Sequence, residues 1–209
     1  MSEKNKNILK DIISYALIIL AVVVIRVFIF DPVRVDGPSM NNTLIDGDIV
    51  ILNKFQYRKQ EPERYDIVVV KIVDPSTNTE KKIIKRIIGL PNEYVEIKDN
   101  KVYANGELLD SSFVYLDENT KNNPSDFKME DIGLEKIPGN QYLVLGDNRG
   151  NSLDSRYKEV GTITKDQIVG KAAIRIWPLN KVTIIKHKKW NYSIVSFFYE
   201  KIYNVIGGS

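Results

Sequence analysis

The pattern of hydrophobic and polar positions divides the chain into three parts. Residues 12–30 form a nearly unbroken apolar run, interrupted by Ser14, Tyr15 and Arg26. From residue 31 the apolar residues come in short, β-branched runs separated by Gly, Pro, Asn or Asp. In residues 186–209 apolar side chains recur at every fourth position. These three patterns predict a long apolar helix, a mostly β domain and a helix with an aromatic face.

The apolar run at 12–30 has the length of a membrane-spanning helix. At 1.5 Å per residue it extends about 28 Å, close to the hydrocarbon thickness of a bilayer. No small-x-small cleavage site precedes Asp31, so we predict a retained single-pass anchor in the cell membrane. Three lysines in residues 1–11 and a single nearby Arg34 on the other side predict a cytoplasmic N-terminus and an extracytoplasmic domain. The alternative is a buried core helix.

Residues 31–185 are predicted to form an antiparallel, mostly β domain. No helical periodicity of ten residues separates the apolar runs, which argues against βαβ units. A meander is expected at residues 95–109, with turns at Asp99-Asn100 and Asn105-Gly106. The polar stretch from Asp117 to Gly139 is expected to leave the sheet. The predicted strands are Asp48–Leu52, Asp66–Val73, Lys82–Ile88, Tyr94–Ile97, Lys101–Ala104, Gln141–Leu145 and Ile168–Trp177.

The last part of the chain, residues 186–209, reads as an aromatic tail. Its fourfold spacing predicts a helix, which either lies on the membrane surface behind its basic first residues or packs on the domain. Both readings stay open on the pattern alone. The repeating positions are Trp190, Ile194, Phe198, Ile202 and Ile206.

Composition removes several kinds of chemistry. The chain has no cysteine, which excludes thiolate catalysis, disulfides and cysteine-built metal sites. His187 is the single histidine, which argues against a Ser-His-Asp triad and imidazole metal centres. Lys+Arg 30 and Asp+Glu 27 are scattered and nearly balanced, so no nucleic-acid-binding face is expected.

Two segments contain a serine and a lysine whose settings could support catalysis. Ser39 follows Gly37-Pro38, a turn that can expose a hydroxyl beside free backbone N–H groups, although serines in such turns are commonly ordinary loop residues. Lys85 lies in a strand-like run and shares a face with Ile83 and Ile87, so its amine is expected to lose water and its pKa to fall. A neutral amine can act as a general base. The alternative is an edge-strand lysine that points to water.

A polar string from Gly146 to Arg156 follows a predicted core strand. Asp147 or Asp154 could pair with Arg149 or Arg156, and Ser152 could bond an amine. A calcium loop is a competing interpretation, but Arg149 would then occupy the third ligand position. If the chain is a protease or another acyl hydrolase, a Ser-Lys pair is the simplest activated nucleophile available, because cysteine is absent and the single histidine, His187, lies near the C-terminal tail.

Taken together and in this order, these segments resemble the bacterial type I signal peptidases, from the anchor to Trp177-Pro178-Leu179. The resemblance implies a signal-peptidase-like β domain, an extracytoplasmic serine endopeptidase, and membrane-tethered preproteins cut after a small-x-small sequence. It implies no metal and no organic cofactor. The motifs that carry it are Gly37-Pro38-Ser39-Met40, Lys85-Arg86-Ile87-Ile88-Gly89-Leu90-Pro91, and Gly146-Asp147-Asn148-Arg149 with Asn151-Ser152 and Asp154-Ser155-Arg156.

The resemblance also implies a role for each site residue. Ser39 attacks the scissile carbonyl, and neutral Lys85 takes its proton and returns it to the leaving amine. Ser152 holds the Lys85 amine, and the Ser39 N–H binds the oxyanion. Some members add a hydroxyl at the position of Gly37, so here a second donor must come from backbone or water. The supporting residues are Asp147, Asp154, Arg156, Arg86 and Arg149, and the oxyanion and substrate region comprises Gly37, Pro38 and Met40.

Three departures from the family pattern leave the substrate range open. Asn41 and Asn42 stand where proline is common, Asn92-Glu93 replaces a usual Gly-Asp, and the aromatic tail after Leu179 is longer than expected. A specialised peptidase serving surface appendages is compatible with these changes. Two further hypotheses are a self-cleaving Ser-Lys protein of the LexA type and a non-catalytic, membrane-tethered assembly factor.

Overall fold

The structure, a computed structural model, describes residues 3–28, 30–74, 76–122 and 126–185. Its first element is helix α1, Glu3–Phe28. The helix therefore begins before the predicted span and ends before it, and Phe30 already opens the first strand. Across the described ranges, no helix has both the length and the apolar character that crossing a bilayer requires. The predicted tail at 186–209 lies outside the described residues.

Within residues 30–185 the described chain forms twelve strands and several short helical turns. The helices are α2, Gln56–Lys59, and α3, Glu118–Asn122, with 3₁₀ turns at Met129–Ile132, Lys165–Gln167 and Leu179–Lys181. The strands are β1 Phe30–Arg34, β2 Ile49–Asn53, β3 Ile67–Val73, β4 Glu80–Gly89, β5 Val95–Lys98, β6 Lys101–Ala104, β7 Glu107–Leu108, β8 Phe127–Lys128, β9 Gln141–Leu145, β10 Ile163–Thr164, β11 Ile168–Trp177 and β12 Thr183–Ile184.

The larger sheet holds the candidate site. Its strand order is β1-β2-β11-β3-β4-β9-β10, with β12 beside β11, and these pairs are antiparallel. The predicted antiparallel, mostly β fold is thus confirmed. Strand β1 was not predicted because Pro32 lies within it. Proline lacks a backbone donor, and β1 accommodates it at the edge of the sheet, where it pairs with β2.

The smaller sheet has the order β7-β6-β5-β8. Both predicted turns of its meander are present, and each has positive φ at both central residues, namely Asp99 (50°), Asn100 (62°), Asn105 (50°) and Gly106 (82°). Two positive φ values favour the tight hairpin turn that Asn-Gly sequences form. The stretch 117–139 does not leave the sheet entirely, because β8 returns to pair with β5.

Two apolar clusters fix the site on this scaffold. One includes two side chains of residues 38–44 and comprises Val35, Met40, Leu44, Val50, Leu52, Ile67, Val69, Ile84, Ala172 and Ile185. The other joins the two sheets, with Ile88, Leu143 and Leu145 of the larger sheet against Val95, Ile97 and Val102 of the smaller. Each fully buried side chain of this size stabilises the fold by roughly 1.5–3 kcal/mol.

Candidate active site

Ser39 lies in a compact segment, residues 38–44, which we call the serine turn. Its backbone closes on itself: the N–H of Asn41 donates to the Pro38 carbonyl at 3.1 Å, and the N–H groups of Thr43 and Leu44 donate to the Met40 carbonyl at 2.9 Å each. Met40 and Leu44 are each 1% exposed and fix the turn to the core. Ser39 itself is half-buried, so the packed turn leaves its side chain partly accessible.

Side-chain hydrogen bonds hold the chain on both sides of the serine turn. Gly37 has φ of +83°, which glycine adopts without strain, and its N–H donates to Asp46 Oδ1 at 2.9 Å. After the turn, buried Asp48 accepts the N–H of Ile45 at 3.0 Å and a bond from Arg175 Nη1 at 3.1 Å. These contacts connect both ends of the turn to neighbouring elements.

The side chain of Lys85 reaches Ser39 from strand β4. Lys85 Nζ donates to Ser39 Oγ at 2.8 Å and to the Ile84 carbonyl at 2.9 Å. The residue is 3% exposed. Burial lowers the pKa of Lys85 from 10.5 to about 8, although the charges of Asp154 and Asp147 act to raise it. A lysine of this kind can release its proton near neutral pH and accept one from the hydroxyl beside it.

Two buried ion pairs flank the lysine. Arg86 holds Asp147 through Nε at 2.8 Å and Nη2 at 2.6 Å. Arg156 holds Asp154 through Nε at 2.8 Å and Nη2 at 3.0 Å. Of the pairings that the sequence left open, the structure selects Asp154 with Arg156, and it pairs Asp147 with the strand residue Arg86. Each arginine partly offsets a carboxylate that favours the charged form of Lys85.

Gly146 allows the polar string to approach the serine turn. A Cβ at this position would lie 2.2 Å from Ser152 Oγ and 2.6 Å from the Ser39 carbonyl oxygen. No side chain fits at these distances, so only glycine permits the contact. Ser152 is buried, and its Oγ has no hydrogen-bond partner in the described part of the chain. Its predicted bond to the Lys85 amine is therefore not formed here, where Ile84 supplies the second acceptor.

Arg149 is buried without an acidic partner among the residues that the structure describes. Its Nε donates to the Gly146 carbonyl at 3.0 Å, whereas Nη1 and Nη2 have no hydrogen-bond partner in those ranges. Burial lowers the pKa of Arg149 to about 10, so the group is still charged at neutral pH. It supports the backbone of the polar string and does not pair with Asp147 or Asp154.

Three contributors to the site were not assigned a role from the sequence. Thr43 bonds Asp147, Asn148 donates its N–H to the Ser39 carbonyl at 3.0 Å and its Nδ2 to the Pro38 carbonyl at 3.2 Å, and the Ile84 carbonyl accepts from Lys85. Thr43 lies only four positions after Ser39, a proximity that could have drawn attention to it. The backbone carbonyl of Ile84 leaves no signal in a sequence.

A family model and several relatives all place the chain in one family. The family model described as "Signal peptidase, peptidase S26" matches residues 8–177. The chain is 37% identical over 163 residues to "Probable signal peptidase I-2" of Synechocystis sp., covering 77% of this chain and 69% of that protein. It is also 37% identical over 187 residues to "Signal peptidase I S" of Bacillus subtilis, covering 87% and 98%.

Two further similarities are to proteins of Staphylococcus aureus and Enterococcus faecalis. "Signal peptidase IB" of Staphylococcus aureus is 37% identical over 187 residues, covering 85% of this chain and 93% of that protein. The crystal structure of a signal peptidase I from Enterococcus faecalis is 34% identical in sequence and covers 55% of this chain and 98% of its own, with a TM-score of 0.42.

Proposed function

The chain belongs to the signal peptidase family, peptidase S26, and we propose that Ser39 is its nucleophile and Lys85 its general base. It is a serine endopeptidase that removes signal peptides from exported preproteins, as its curated relatives' names indicate. The observation that carries the residue assignment is the 2.8 Å contact between Lys85 Nζ and Ser39 Oγ. The relatives favour neither a LexA-type self-cleaving protein nor a non-catalytic assembly factor.

Acylation follows from this contact. Neutral Lys85 accepts the hydroxyl proton while Ser39 Oγ attacks the scissile carbonyl, and the ammonium then gives that proton to the leaving amine as the peptide bond breaks. An ester to the signal peptide remains on Ser39. In the second half, Lys85 takes a proton from water, the hydroxide attacks the ester, and the proton returns to Ser39 Oγ. No other reactant is required.

Burial of Lys85 determines how much base is available. With a pKa of about 8, roughly one molecule in ten carries the neutral amine at pH 7, against about one in a few thousand for an ordinary lysine. The pairs Arg86–Asp147 and Arg156–Asp154 maintain this state, since they offset the two carboxylates nearest the amine. We propose that Ser152 can also orient the Lys85 amine, its buried and unpaired Oγ taking the place of the Ile84 carbonyl as acceptor, and that Arg149 supports the loop that carries Ser152.

The oxyanion is assigned to the backbone at Ser39. In our proposal the Ser39 N–H donates to the developing negative charge, while Gly37, Pro38 and Met40 shape the surrounding substrate region. The N–H of Gly37 is already bonded to Asp46, so a second donor comes from another backbone group or from water. In this proposal the substrate binds in an extended conformation beside the strand edges, with the small-x-small sequence just before the scissile bond.

We further propose that the apolar part of α1, residues 12–28 of the predicted span 12–30, anchors the enzyme in the cell membrane, with residues 1–11 in the cytoplasm and the catalytic domain, which begins with β1 and extends to residue 185, outside it. Leu17, Ile18, Ile19 and Leu20 are consecutive and each at least 58% exposed, so apolar side chains surround this part of α1. A surface of this kind is unfavourable in water and favourable in lipid. Anchoring confines enzyme and membrane-held preprotein to one layer and raises their effective concentration. The aromatic tail at 186–209 is assigned no location.

The catalytic assignment is tested by cleavage of a preprotein in detergent micelles. Ser39→Ala and Lys85→Ala should each lose at least about 1000-fold in kcat, because either change removes the activated nucleophile. Ser112→Ala and Lys98→Ala are matched controls, since both residues are exposed and distant in sequence from the site, and both should cleave at the wild-type rate. Undiminished cleavage by Ser39→Ala or Lys85→Ala would refute the assignment.

The anchor and its orientation are tested separately. Because the chain has no cysteine, Asn5→Cys and Gln60→Cys each introduce a single thiol. A membrane-impermeant maleimide added to spheroplasts should label Gln60→Cys and should label Asn5→Cys only after lysis. Extraction of the protein by alkaline carbonate, or equal labelling of both variants in closed spheroplasts, would contradict the proposed topology.

A further inference from the structure

Thr43 connects the serine turn to the ion pair beside the catalytic lysine. Its hydroxyl donates to Asp147 Oδ2 at 2.5 Å and accepts from Arg86 Nη2 at 3.3 Å. Both partners are buried, with Asp147 1% and Arg86 5% exposed. A short bond to a buried carboxylate is stronger than one between neutral groups, so this contact resists displacement of the turn.

The serine turn is held by strand β4 through two neighbouring residues. Lys85 bonds Ser39, and Arg86 bonds Thr43. Neighbouring residues of a strand leave it on opposite faces. The register between β3 and β4 is regular from Glu80 to Arg86, so this alternation applies here. The turn is therefore attached to β4 at two points, by consecutive strand residues that bond its nucleophile and the residue four positions later.

The second attachment also includes the polar string. Asp147 accepts from Arg86 of β4 and from Thr43 of the serine turn, while its neighbour Asn148 donates to the Ser39 carbonyl. Asp147 thus joins three segments that are far apart in sequence. Among the described hydrogen bonds, the carboxylate of Asp147 contacts the serine turn only through Thr43.

We propose that Thr43 is a positioning residue for the Ser39 nucleophile, acting through Arg86 and Asp147 to hold the Ser39 hydroxyl within bonding distance of the Lys85 amine. This inference rests on the proposed function of Ser39 and Lys85. Among the described hydrogen bonds, Thr43 makes none to Ser39 or Lys85, so its contribution lies in the placement of the turn. Displacement of a reacting group by about 1 Å costs on the order of 100-fold in rate.

Two substitutions separate the hydroxyl from the packing of Thr43. Thr43→Val keeps the shape and removes the bond to Asp147, and we expect kcat to fall about 10- to 100-fold with KM within about 2-fold. Thr43→Ser keeps the hydroxyl and should retain kcat within about 3-fold. Thr77→Val is the matched control, because Thr77 is exposed and bonds another surface hydroxyl, that of Thr79; it should match wild type.

The pH dependence of cleavage distinguishes placement from a change in the base itself. If Thr43 acts through position, Thr43→Val lowers the rate at every pH and leaves the midpoint of the acid limb within about half a pH unit of wild type. A larger displacement of that midpoint would overturn the proposal, because the substitution would then act on the titration of Lys85. So would a wild-type kcat in Thr43→Val.

The serine variant keeps the test decisive if Thr43→Val does not fold. Thermal unfolding monitored by circular dichroism identifies such a failure, and a folded Thr43→Ser that lost more than about 10-fold in kcat would by itself overturn the proposal. Different variants test the proposed function and the positioning role. The proposed function fails if Ser39→Ala cleaves the preprotein. The positioning role alone fails if wild type cleaves, Ser39→Ala does not, and Thr43→Val cleaves at the wild-type rate.

Discussion

Lys85 Nζ lies 2.8 Å from Ser39 Oγ, and the two residues are 46 positions apart in the chain. The lysine is almost fully buried and the serine half-buried. An amine in this setting is held against the hydroxyl by the fold and is kept from water by its surroundings. The chemistry of the site depends on both conditions, and each leads to a measurable consequence.

The first prediction concerns the pH dependence of cleavage. Burial lowers the pKa of Lys85 to about 8, and the neutral amine is the active form. The rate constant kcat/KM should therefore rise tenfold per pH unit at acidic pH and level off above about pH 8. A profile measured from pH 5 to 10 with a soluble peptide substrate checks this. An acid limb that continued to rise to pH 10 would show an ordinary, solvated lysine.

The second prediction is that Lys85→Met stabilises the fold near neutral pH. The folded-state pKa lies below 10.5, so folding disfavours the charged amine. The penalty is absent above about pH 10.5, grows as the pH falls, and is complete below about pH 8, where it reaches roughly 3 kcal/mol. Loss of the bonds to Ser39 and Ile84 removes about 1 kcal/mol each. At pH 7 the variant should be about 1 kcal/mol more stable than wild type.

Urea unfolding in detergent micelles at pH 7 and pH 10.5 measures this difference. The advantage of Lys85→Met should disappear or reverse at the higher pH, since wild type then carries no penalty. Lys98→Met provides the control, because Lys98 is exposed and should show no such pH dependence. A variant less stable than wild type at pH 7 would contradict the prediction. Activity should be lost in Lys85→Met at every pH.

Local features of the fold could be predicted from the sequence because their causes are local. The turns at Asp99-Asn100 and Asn105-Gly106 need residues that tolerate positive φ, and the sequence supplies them. Strands β6, β9 and β11 begin and end at the predicted residues, since apolar runs and their polar boundaries determine them. Strand β1 was missed because its acceptance of Pro32 depends on its place at the sheet edge.

The pairing of charges could not be predicted in the same way. Asp147 and Asp154 had Arg149 and Arg156 as equally plausible partners along the polar string. The structure gives Asp147 to Arg86, which lies 61 positions earlier, because strands β4 and β9 are neighbours and Arg86 pairs with Leu145. The register of the sheet determines this pairing, and a single sequence does not show that register in an obvious pattern.

The third prediction contrasts two arginines of the polar string. Arg156→Met leaves the buried carboxylate of Asp154 without its bidentate partner and should cost about 3–5 kcal/mol of unfolding free energy. Arg149→Met removes one bond to the Gly146 carbonyl and a buried charge that pairs with no described carboxylate, so it should cost at least about 2 kcal/mol less. Urea unfolding of both variants at pH 7 provides the comparison. Equal losses would contradict it.

The last prediction concerns a buried ion pair outside the site. Lys171 Nζ lies 2.5 Å from Asp66 Oδ1, both side chains are 1% exposed, and Tyr57 donates its hydroxyl to Asp66 Oδ2 at 2.7 Å. Lys171→Met leaves the carboxylate buried without its cation and should cost about 3–5 kcal/mol of unfolding free energy. The exposed pair of Lys165 and Glu61 has a similar distance of 2.6 Å. Lys165→Met should cost less than about 1 kcal/mol, because solvent screens that pair.

A double variant identifies the cause of the loss. Lys171→Met with Asp66→Asn removes both charges and keeps an acceptor for the hydroxyl of Tyr57. If the cost of the single variant comes from the unpaired carboxylate, the double variant should recover at least half of it. Unfolding free energies from urea titration at pH 7 give all three values. A double variant less stable than Lys171→Met would show that packing, and not the unpaired charge, accounts for the loss.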